Sequence, residues 1–292
     1  EFVKPFDLSQ APLFRTKFII FNNNTSAFFF DAHHIIFDGK SINNFISELC
    51  KLYNNENLTE LEITYKDFSA FENENHNDLK IAENYWLQQF KDEIPVLNMP
   101  TIYQRPTIQS FEGKKVFSTI DEITTKKIEN ICNSLKITPY MLLLGSFYIL
   151  LSKYTSQEDI IVGSPIIGRD LPNTYDLIGM FVNTLALRNK IDSNLSFKEF
   201  IFQLKNNLLN SYKYQTYPFD ELVNKLNLNR DNSRNPLFDV MFIYQNNGFQ
   251  TLNFNNIEAE YYLPDTNISK FDLSLEALPT NNCIKLSFEY CI

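Results

Sequence analysis

The chain has 292 residues, of which 44% are hydrophobic and 15% aromatic, so it can bury one large core or two lobes of ordinary domain size. Its net charge of -9 argues against a partner with a phosphate backbone, so we expect no nucleic acid partner. It contains no uninterrupted apolar run long enough for a membrane span, and its first residues lack the basic and apolar regions of a signal peptide; we therefore expect a soluble, cytoplasmic protein with no membrane partner.

The first predicted elements form a hairpin followed by a helix. Residues 12–22 and 26–37 are rich in aromatic and β-branched residues and are separated by a short polar turn, which predicts two strands, the second of them buried. Apolar residues then recur at helical spacing from residue 42 to residue 53, which predicts an amphipathic helix that begins near Ser41. The segment that joins the second strand to this helix is predicted to be a strand-to-helix turn.

A second helical region is predicted for residues 65–94, with a break near residues 75–78. The proline-containing stretch 95–107 reads as a linker, and we place the domain boundary there, giving domains of residues 1–105 and 106–292. Beyond the linker, the pattern predicts helices at 122–133, 138–154 and 197–214, strands at 159–163, 181–188, 237–245, 269–277 and 283–290, and loops at 227–235 and 246–256.

Two of the chain's three histidines, His33 and His34, lie next to each other before an Asp-Gly pair, Asp38 and Gly39. If the strand continues through both, they point to opposite faces, and the alternation does not show which one enters a site. Asp38 can accept a hydrogen bond or an ion pair, Gly39 allows a sharp turn, and the following helix presents free N–H groups to an anionic oxygen. The alternative is a pair of core histidines beside an aspartate that only caps a helix.

A metal site is not expected. A catalytic zinc site needs three protein ligands, and the remaining histidine, His76, lies in a polar stretch. The four cysteines are scattered without zinc-binding or disulfide spacing, so we expect buried thiols.

Glycine is scarce, with seven residues where the average usage would give roughly twenty. Four of the seven fall in two short segments. We expect these four to serve left-handed turns or close backbone approaches, and they are Gly39, Gly163, Gly168 and Gly179.

The segment "HHIIFDG" (33–39) resembles the HHxxxDG motif of condensation domains of nonribosomal peptide synthetases, which belong to the chloramphenicol-acetyltransferase-like superfamily. Later segments resemble further blocks of this family in the same order along almost the whole chain. They are "YKDFSAF" (65–71), "YWLQQF" (85–90), "IVGSPIIGRDLPNTYDLIGMFVNTLALR" (161–188), "YPFDELVNKL" (217–226) and "SRNPLFDVMFIYQN" (233–246).

The resemblance implies an α/β (α+β) fold of two chloramphenicol-acetyltransferase-like lobes with a central tunnel. Donor and acceptor carrier domains would deliver substrates tethered to 4'-phosphopantetheine, with an adenylation domain adjacent and no cofactor bound directly. The acceptor amine would attack the donor thioester and form an amide. The residue implied as central is His34, supported by His33 and Gly39, with Asp38 structural through an arginine ion pair. Whether His34 acts as a base or a positioning group is left open.

The resemblance also marks departures from the family pattern. The chain resembles a condensation domain that lacks its first and last elements, so the N-terminal lobe would be incomplete. The usual arginine partner of Asp38 would lie upstream, and Arg15 on the preceding strand is a substitute. Lys40 stands where many relatives have an aromatic residue and is expected to be a solvated residue of the first helical turn.

We expect the residues of the block 161–188 to fix a lobe-crossing loop and line the tunnel without taking part in the chemistry, and Asn183 and Arg169 are the candidate polar contacts in the tunnel. Two other functions stay open: a catalytically silent module that docks carrier proteins, and a freestanding acyltransferase that uses CoA or an alcohol acceptor.

Overall fold

The computed structural model describes residues 2–22, 24–74, 76–228, 231–245, 248, 250–262 and 267–292. These residues form a mixed α/β fold. The chain groups into two compact units, each built from separate stretches: residues 1–74, 169–182 and 249–261 form the first, and the remaining residues form the second. Residues 75–105 thus group with the second unit, and the predicted division into lobes at residue 105 stays a prediction.

The first unit contains a hairpin and two helices. Strands β1 (Phe14–Asn22) and β2 (Thr25–Ala32) pair antiparallel, followed by α1 (Gly39–Tyr53) and α2 (Tyr65–Glu74). The hairpin packs on α1 through aromatic rings, with the ring centroids of Phe30 and Phe45 4.4 Å apart. This packing fixes the connection between β2 and α1, where the histidine pair lies.

The second unit contains a six-stranded sheet in the order β3-β8-β7-β6-β4-β5. The pairs β4–β6 and β6–β7 are parallel and the other pairs are antiparallel. Its strands are β3 (Gly113–Ile120), β4 (Asp159–Ile166), β5 (Asn183–Lys190), β6 (Val240–Tyr244), β7 (Leu273–Pro279) and β8 (Ile284–Cys291), and its helices are α3 (His76–Gln89), α4 (Glu122–Leu135), α5 (Pro139–Thr155), α6 (Phe197–Lys213) and α7 (Phe219–Leu226).

The main hydrophobic core lies in this second unit, around α5. Thr138 caps the helix by accepting a hydrogen bond from Met141 N, and Pro139 occupies the first turn, where its missing N–H is not needed. Apolar residues occur all round α5, as expected for a buried helix, and Leu144, Phe147 and Tyr148 are at most 1% exposed.

Most predicted helices and strands are confirmed within a few residues. Residues 95–107 contain neither helix nor strand but group with the second unit, so their role as a linker between domains stays a prediction. The second hairpin strand was predicted too long, since it ends at Ala32, and β3 and α7 were not predicted. The break predicted near 75–78 and parts of the two predicted loops lie outside the described residues, because residues 75, 229–230, 246–247 and 249 are not described.

Within the described ranges, no single helix has both the length and the apolar character needed to cross a membrane; α4 and α5 meet that test only together, as a pair bent by 104°.

Candidate active site

The histidine pair lies on a turn rather than on a strand. After β2 ends at Ala32, residues His34–Ile36 form a single 3-10 turn. His33 Nδ1 accepts a hydrogen bond from the N–H of Ile35 at 3.1 Å and so caps this turn. The strand alternation that we expected to continue through the pair therefore does not apply to His33 and His34.

The two imidazoles have different surroundings. The ring of His33 is half-buried, bonded to Ile35 N, and meets the edge of Phe6 at a centroid distance of 6.1 Å. His34 is exposed, and no hydrogen bond to its side chain is formed within the part of the chain that the structure describes. His33 therefore stabilises the turn, while the imidazole of His34 is exposed.

Asp38 caps helix α1 and holds a buried ion pair. Its Oδ1 accepts hydrogen bonds from Ser41 N at 2.7 Å and from Arg169 Nη2 at 2.9 Å, and its Oδ2 lies 3.1 Å from the same Nη2. Phe181 N also donates to Oδ2, at 3.1 Å. The carboxylate side chain is 0% exposed and the arginine side chain 1% exposed, so charge pairing and hydrogen bonding compensate for the loss of water.

The remaining bonds of Arg169 fix the loop that follows it. Nη1 donates to the carbonyls of Thr174 and Leu177, both at 2.7 Å, and the guanidinium carbon lies 3.9 Å from the ring centroid of Phe181. Arg169 thus links the helix cap at Asp38 to residues 174–181. The structure gives this side chain a buried role in the cap. The tunnel contact predicted for Arg169 is not tested by these contacts and stays a prediction.

The expectation that Arg15 substitutes as the partner of Asp38 is wrong. Arg15 Nε lies 2.8 Å from Asp31 Oδ2, directly across the hairpin, and its guanidinium carbon lies 3.9 Å from the ring centroid of Phe6. The actual partner, Arg169, is 131 residues from Asp38 in sequence. The block "GSPIIGR" (163–169) contained this residue, but its spacing carries no sign of which carboxylate it meets.

The four glycines divide by role. Gly168 adopts a left-handed backbone with φ of 66°, which a side chain would disfavour. At Gly163 and Gly179 an added Cβ would lie 2.2 Å from ring atoms of Phe238 and Tyr65, so these two allow close approach. Gly39 is different: it is the first residue of α1, it is not among the residues with positive φ, and an added Cβ would meet nothing within 4 Å. The left-handed turn or close backbone approach expected at Gly39 is therefore not observed.

Lys40 is half-buried rather than solvated, with its Nζ 4.0 Å from the ring centroid of Tyr175. This cation–π contact offsets the unfavourable position of a positive charge in the first turn of a helix. Not all of the N–H groups at the start of α1 are free, because the N–H of Ser41 donates to Asp38 Oδ1.

In the second unit, the amide of Asn183 is fully hydrogen-bonded. Its Nδ2 donates to the carbonyls of Gln215 and Tyr217, both at 2.8 Å, and its Oδ1 accepts from the N–H groups of Thr184 and Phe219 at 2.8 and 3.2 Å. Both amide hydrogens are used, so the structure gives Asn183 the role of a tether between β5 and the loop before α7.

One residue of the first unit was missed by sequence reasoning. Tyr65 donates a hydrogen bond to the carbonyl of Met180 at 2.7 Å, beside the cap of α1. Burial raises the pKa of this phenol, and the negative charge of Asp38 raises it further. Tyr65 is the first residue of the segment "YKDFSAF", and nothing in this segment alone predicts the contact with Met180.

Within the described residues, no group of three or more His, Cys, Asp or Glu side chains is arranged to hold a metal ion. The side chain of His76 lies outside the described part of the chain.

The protein-family model named "Condensation domain" matches residues 1–291. The chain belongs to the condensation domain family. The HHxxxDG segment and the ion pair described above are therefore features of a condensation domain.

Curated relatives of this condensation domain match over its full length. Bacitracin synthase 3 of Bacillus licheniformis is 43% identical over 293 residues, which cover 100% of this chain and 5% of the relative. Gramicidin S synthase 2 of Brevibacillus brevis is 42% identical over 293 residues, which cover 100% of this chain and 7% of the relative. The condensation domain described here therefore spans less than a tenth of the length of these relatives.

The fold is shared with a solved four-domain nonribosomal peptide synthetase in its holo form with AMP and glycine bound. That structure matches 99% of this chain and 23% of its own, with a TM-score of 0.88 and 23% sequence identity. The predicted fold class, mixed α/β and chloramphenicol-acetyltransferase-like, is confirmed. The chain is a condensation domain of the nonribosomal peptide synthetase type.

Proposed function

We propose that this condensation domain joins a donor acyl or peptidyl thioester to an acceptor aminoacyl thioester through an amide bond. The acceptor nitrogen forms a bond to the donor carbonyl carbon, the carbon–sulfur bond breaks, and the nitrogen proton and the thiolate leave as the donor thiol. The observation that carries the proposal is the intact HHxxxDG segment, in a chain that matches the family over residues 1–291.

The chemistry does not need a strong base or a protein nucleophile. An α-amino group has a reference pKa near 8 and a thiol one near 8.5, so at neutral pH a useful fraction of amine is free and the thiolate leaves readily. Orientation of two tethered substrates can contribute about 7 to 11 kcal/mol, and a positioned acid–base group adds about 10² to 10⁴ in rate. His34, exposed and without a described hydrogen bond, fits the task of holding the amine or accepting its proton.

The ion pair between Asp38 and Arg169 has a supporting role in this proposal. Both side chains are buried, and the carboxylate accepts hydrogen bonds from Ser41, Arg169 and Phe181. Asp38 therefore holds the start of α1, and through it the turn that presents His34, without touching substrate.

The proposal also includes the partner domains of this condensation domain and its location in the cell. Donor and acceptor carrier domains would supply substrates on 4'-phosphopantetheine, and an adenylation domain would activate the amino acid. The similarity to a four-domain nonribosomal peptide synthetase supports partner domains of this kind. A cytoplasmic location belongs to the same proposal.

The test places the chain, within its natural polypeptide, between a donor carrier loaded with an acyl thioester and acceptor carriers loaded with a panel of amino acids. Mass spectrometry of the carriers is expected to show the amide product on the acceptor and a free thiol on the donor. Equal turnover of a CoA thioester with a free amine or alcohol would instead indicate a freestanding acyltransferase. Carrier binding without product would indicate a silent docking module.

A further inference from the structure

Residues 179–181 lie directly against the cap of helix α1. Phe181 N donates to Asp38 Oδ2 at 3.1 Å, and Gly179 N donates to Ser41 Oγ at 3.0 Å. Ser41 Oγ in turn lies 2.8 Å from Asp38 Oδ1 and 2.9 Å from the carbonyl of Gly179. The position of this short segment therefore sets the position of the buried carboxylate.

Helix α2 holds the other side of the same segment through Tyr65. Its hydroxyl donates to the carbonyl of Met180 at 2.7 Å, and its ring meets Phe181 edge to face with centroids 5.0 Å apart. Phe68, one turn further along α2, lies 4.6 Å from the same ring. Residues 179–181 are thus clamped between α2 and the start of α1.

The fit at Gly179 shows how closely the tyrosine ring approaches this backbone. A Cβ at position 179 would lie 2.2 Å from Cδ2 and 2.6 Å from Cε2 of Tyr65, distances that packed atoms do not tolerate. The residue is not among those with positive φ, so its conformation alone does not require glycine. Space for the ring of Tyr65 explains why glycine stands here.

The raised pKa of Tyr65 favours the protonated hydroxyl that donates to the carbonyl of Met180. Burial and the charge of Asp38 raise the pKa of Tyr65, and Glu72 adds to the rise while Arg169 opposes it. The phenol therefore stays protonated at neutral pH and keeps donating to Met180 O.

We propose that Tyr65 is a positioning residue for condensation: through the carbonyl of Met180 and the N–H of Phe181 it holds Asp38, and through Asp38 it holds the turn that carries His34. This inference rests on the proposed function for its effect on rate. The hydroxyl is hydrogen-bonded to the backbone, so Tyr65 acts through residues 180 and 181 and not on the substrate.

The test compares Tyr65→Phe with Tyr154→Phe, which removes the hydroxyl of an exposed tyrosine on α5. Each is made in the full polypeptide, in the parent and in a His34→Ala background, and single-turnover amide formation is measured with saturating loaded carriers. Tyr65→Phe is expected to lower the rate about three- to tenfold in the parent background, the effect of one lost hydrogen bond. In the His34→Ala background its further effect should be below about twofold, because both changes act on one group.

Hydrogen–deuterium exchange of the same variants separates this inference from the proposed function. Faster exchange in peptides that cover residues 33–41 is expected for Tyr65→Phe and not for Tyr154→Phe. Unchanged exchange there, or an equal loss of rate in both backgrounds, would overturn the positioning role. A parent protein that forms no amide would refute the proposed function, and the exchange result would still decide whether Tyr65 holds the turn.

Discussion

At the scale of single residues, one turn gives two adjacent histidines different surroundings. His33 uses Nδ1 as an acceptor to cap the 3-10 turn, while the side chain of His34 is exposed. Family resemblance indicated His34 as the central residue, and that assignment stays a prediction. The residue pattern alone could not make this assignment, because alternation along a strand assumes that the strand continues, and β2 ends at Ala32.

A prediction at this scale concerns the charge of Asp38. Asp38→Asn keeps a side chain that caps helices well but leaves Arg169 as a buried charge without its partner, which typically costs about 3 to 5 kcal/mol. We expect a lower free energy of unfolding in urea, followed by circular dichroism, together with a lower yield of soluble protein.

The matched control for Asp38→Asn is Asp121→Asn. Asp121 caps α4 by accepting from Thr124 N at 2.7 Å, but it is exposed, and none of the described ion pairs involves it. The control should stay within about 0.5 kcal/mol of the parent. Equal losses for the two variants would show that the ion pair with Arg169 does not stabilise the fold.

At the scale of elements, strong periodic patterns were predicted well and exposed or short elements were not. Helix α5 carries a long apolar run and strand β4 contains three consecutive β-branched residues, and both elements were predicted. Strand β3 was missed because it is an edge strand with exposed residues at most positions and so lacks a clear apolar run. Helix α7 was missed because its eight residues are too few to establish a helical period.

The tether at Asn183 leads to a second prediction. Asn183→Ala removes four hydrogen bonds: two to carbonyls of the loop before α7, one from Phe219 N at the start of α7, and one from the N–H of the neighbouring Thr184. We expect a loss of about 1 to 3 kcal/mol in the free energy of unfolding, since buried groups lose their partners. The control, Asn210→Ala, changes an exposed residue of α6. A variant at 183 that is as stable as the parent but has lost substrate affinity would instead favour the tunnel contact.

The third prediction is a pH dependence at Tyr217. Burial and the nearby charge of Glu83 raise the pKa of this phenol to about 12, above its usual value of 10.0. Because the folded state holds the proton more tightly, this contribution to stability is complete below pH 10 and is lost as the pH rises towards 12. The stability advantage of the parent over Tyr217→Phe should therefore shrink above pH 10 in urea unfolding. An advantage that is constant from pH 8 to about 11 would contradict this assignment.

At the scale of the whole molecule, the family, the fold class and most elements could be predicted, whereas the contacts of the candidate site could not. The bond between Arg169 and Asp38 spans 131 residues, and the bond between Tyr65 and Met180 spans 115. No local pattern encodes which remote groups meet, because the meeting depends on the packing of the whole unit. This is why Arg15, which lies on the hairpin that precedes Asp38 and is closer to it in sequence than Arg169, was wrongly assigned as its partner.

The small number of side chains near the motif that could bind a metal ion leads to a prediction for the whole domain. Amide formation is expected to be unchanged after dialysis against a chelator, since the motif supplies two adjacent histidines that lie on one turn and His33 is already bonded to Ile35 N. The measurement is the rate of transfer between loaded carriers before and after dialysis. Loss of activity that zinc restores would show that the histidine pair has been misinterpreted.

The most direct test of the central claim is single-turnover transfer between loaded carriers by the parent and by His34→Ala, in the full polypeptide. Folding of both is checked by circular dichroism, and His33→Ala serves as the neighbouring control. The rate should fall by roughly 10² or more in His34→Ala if its imidazole holds the amine or takes its proton, while His33→Ala should act mainly by destabilising the turn. A well-folded His34→Ala protein that condenses every acceptor tested at the parent rate would contradict the account.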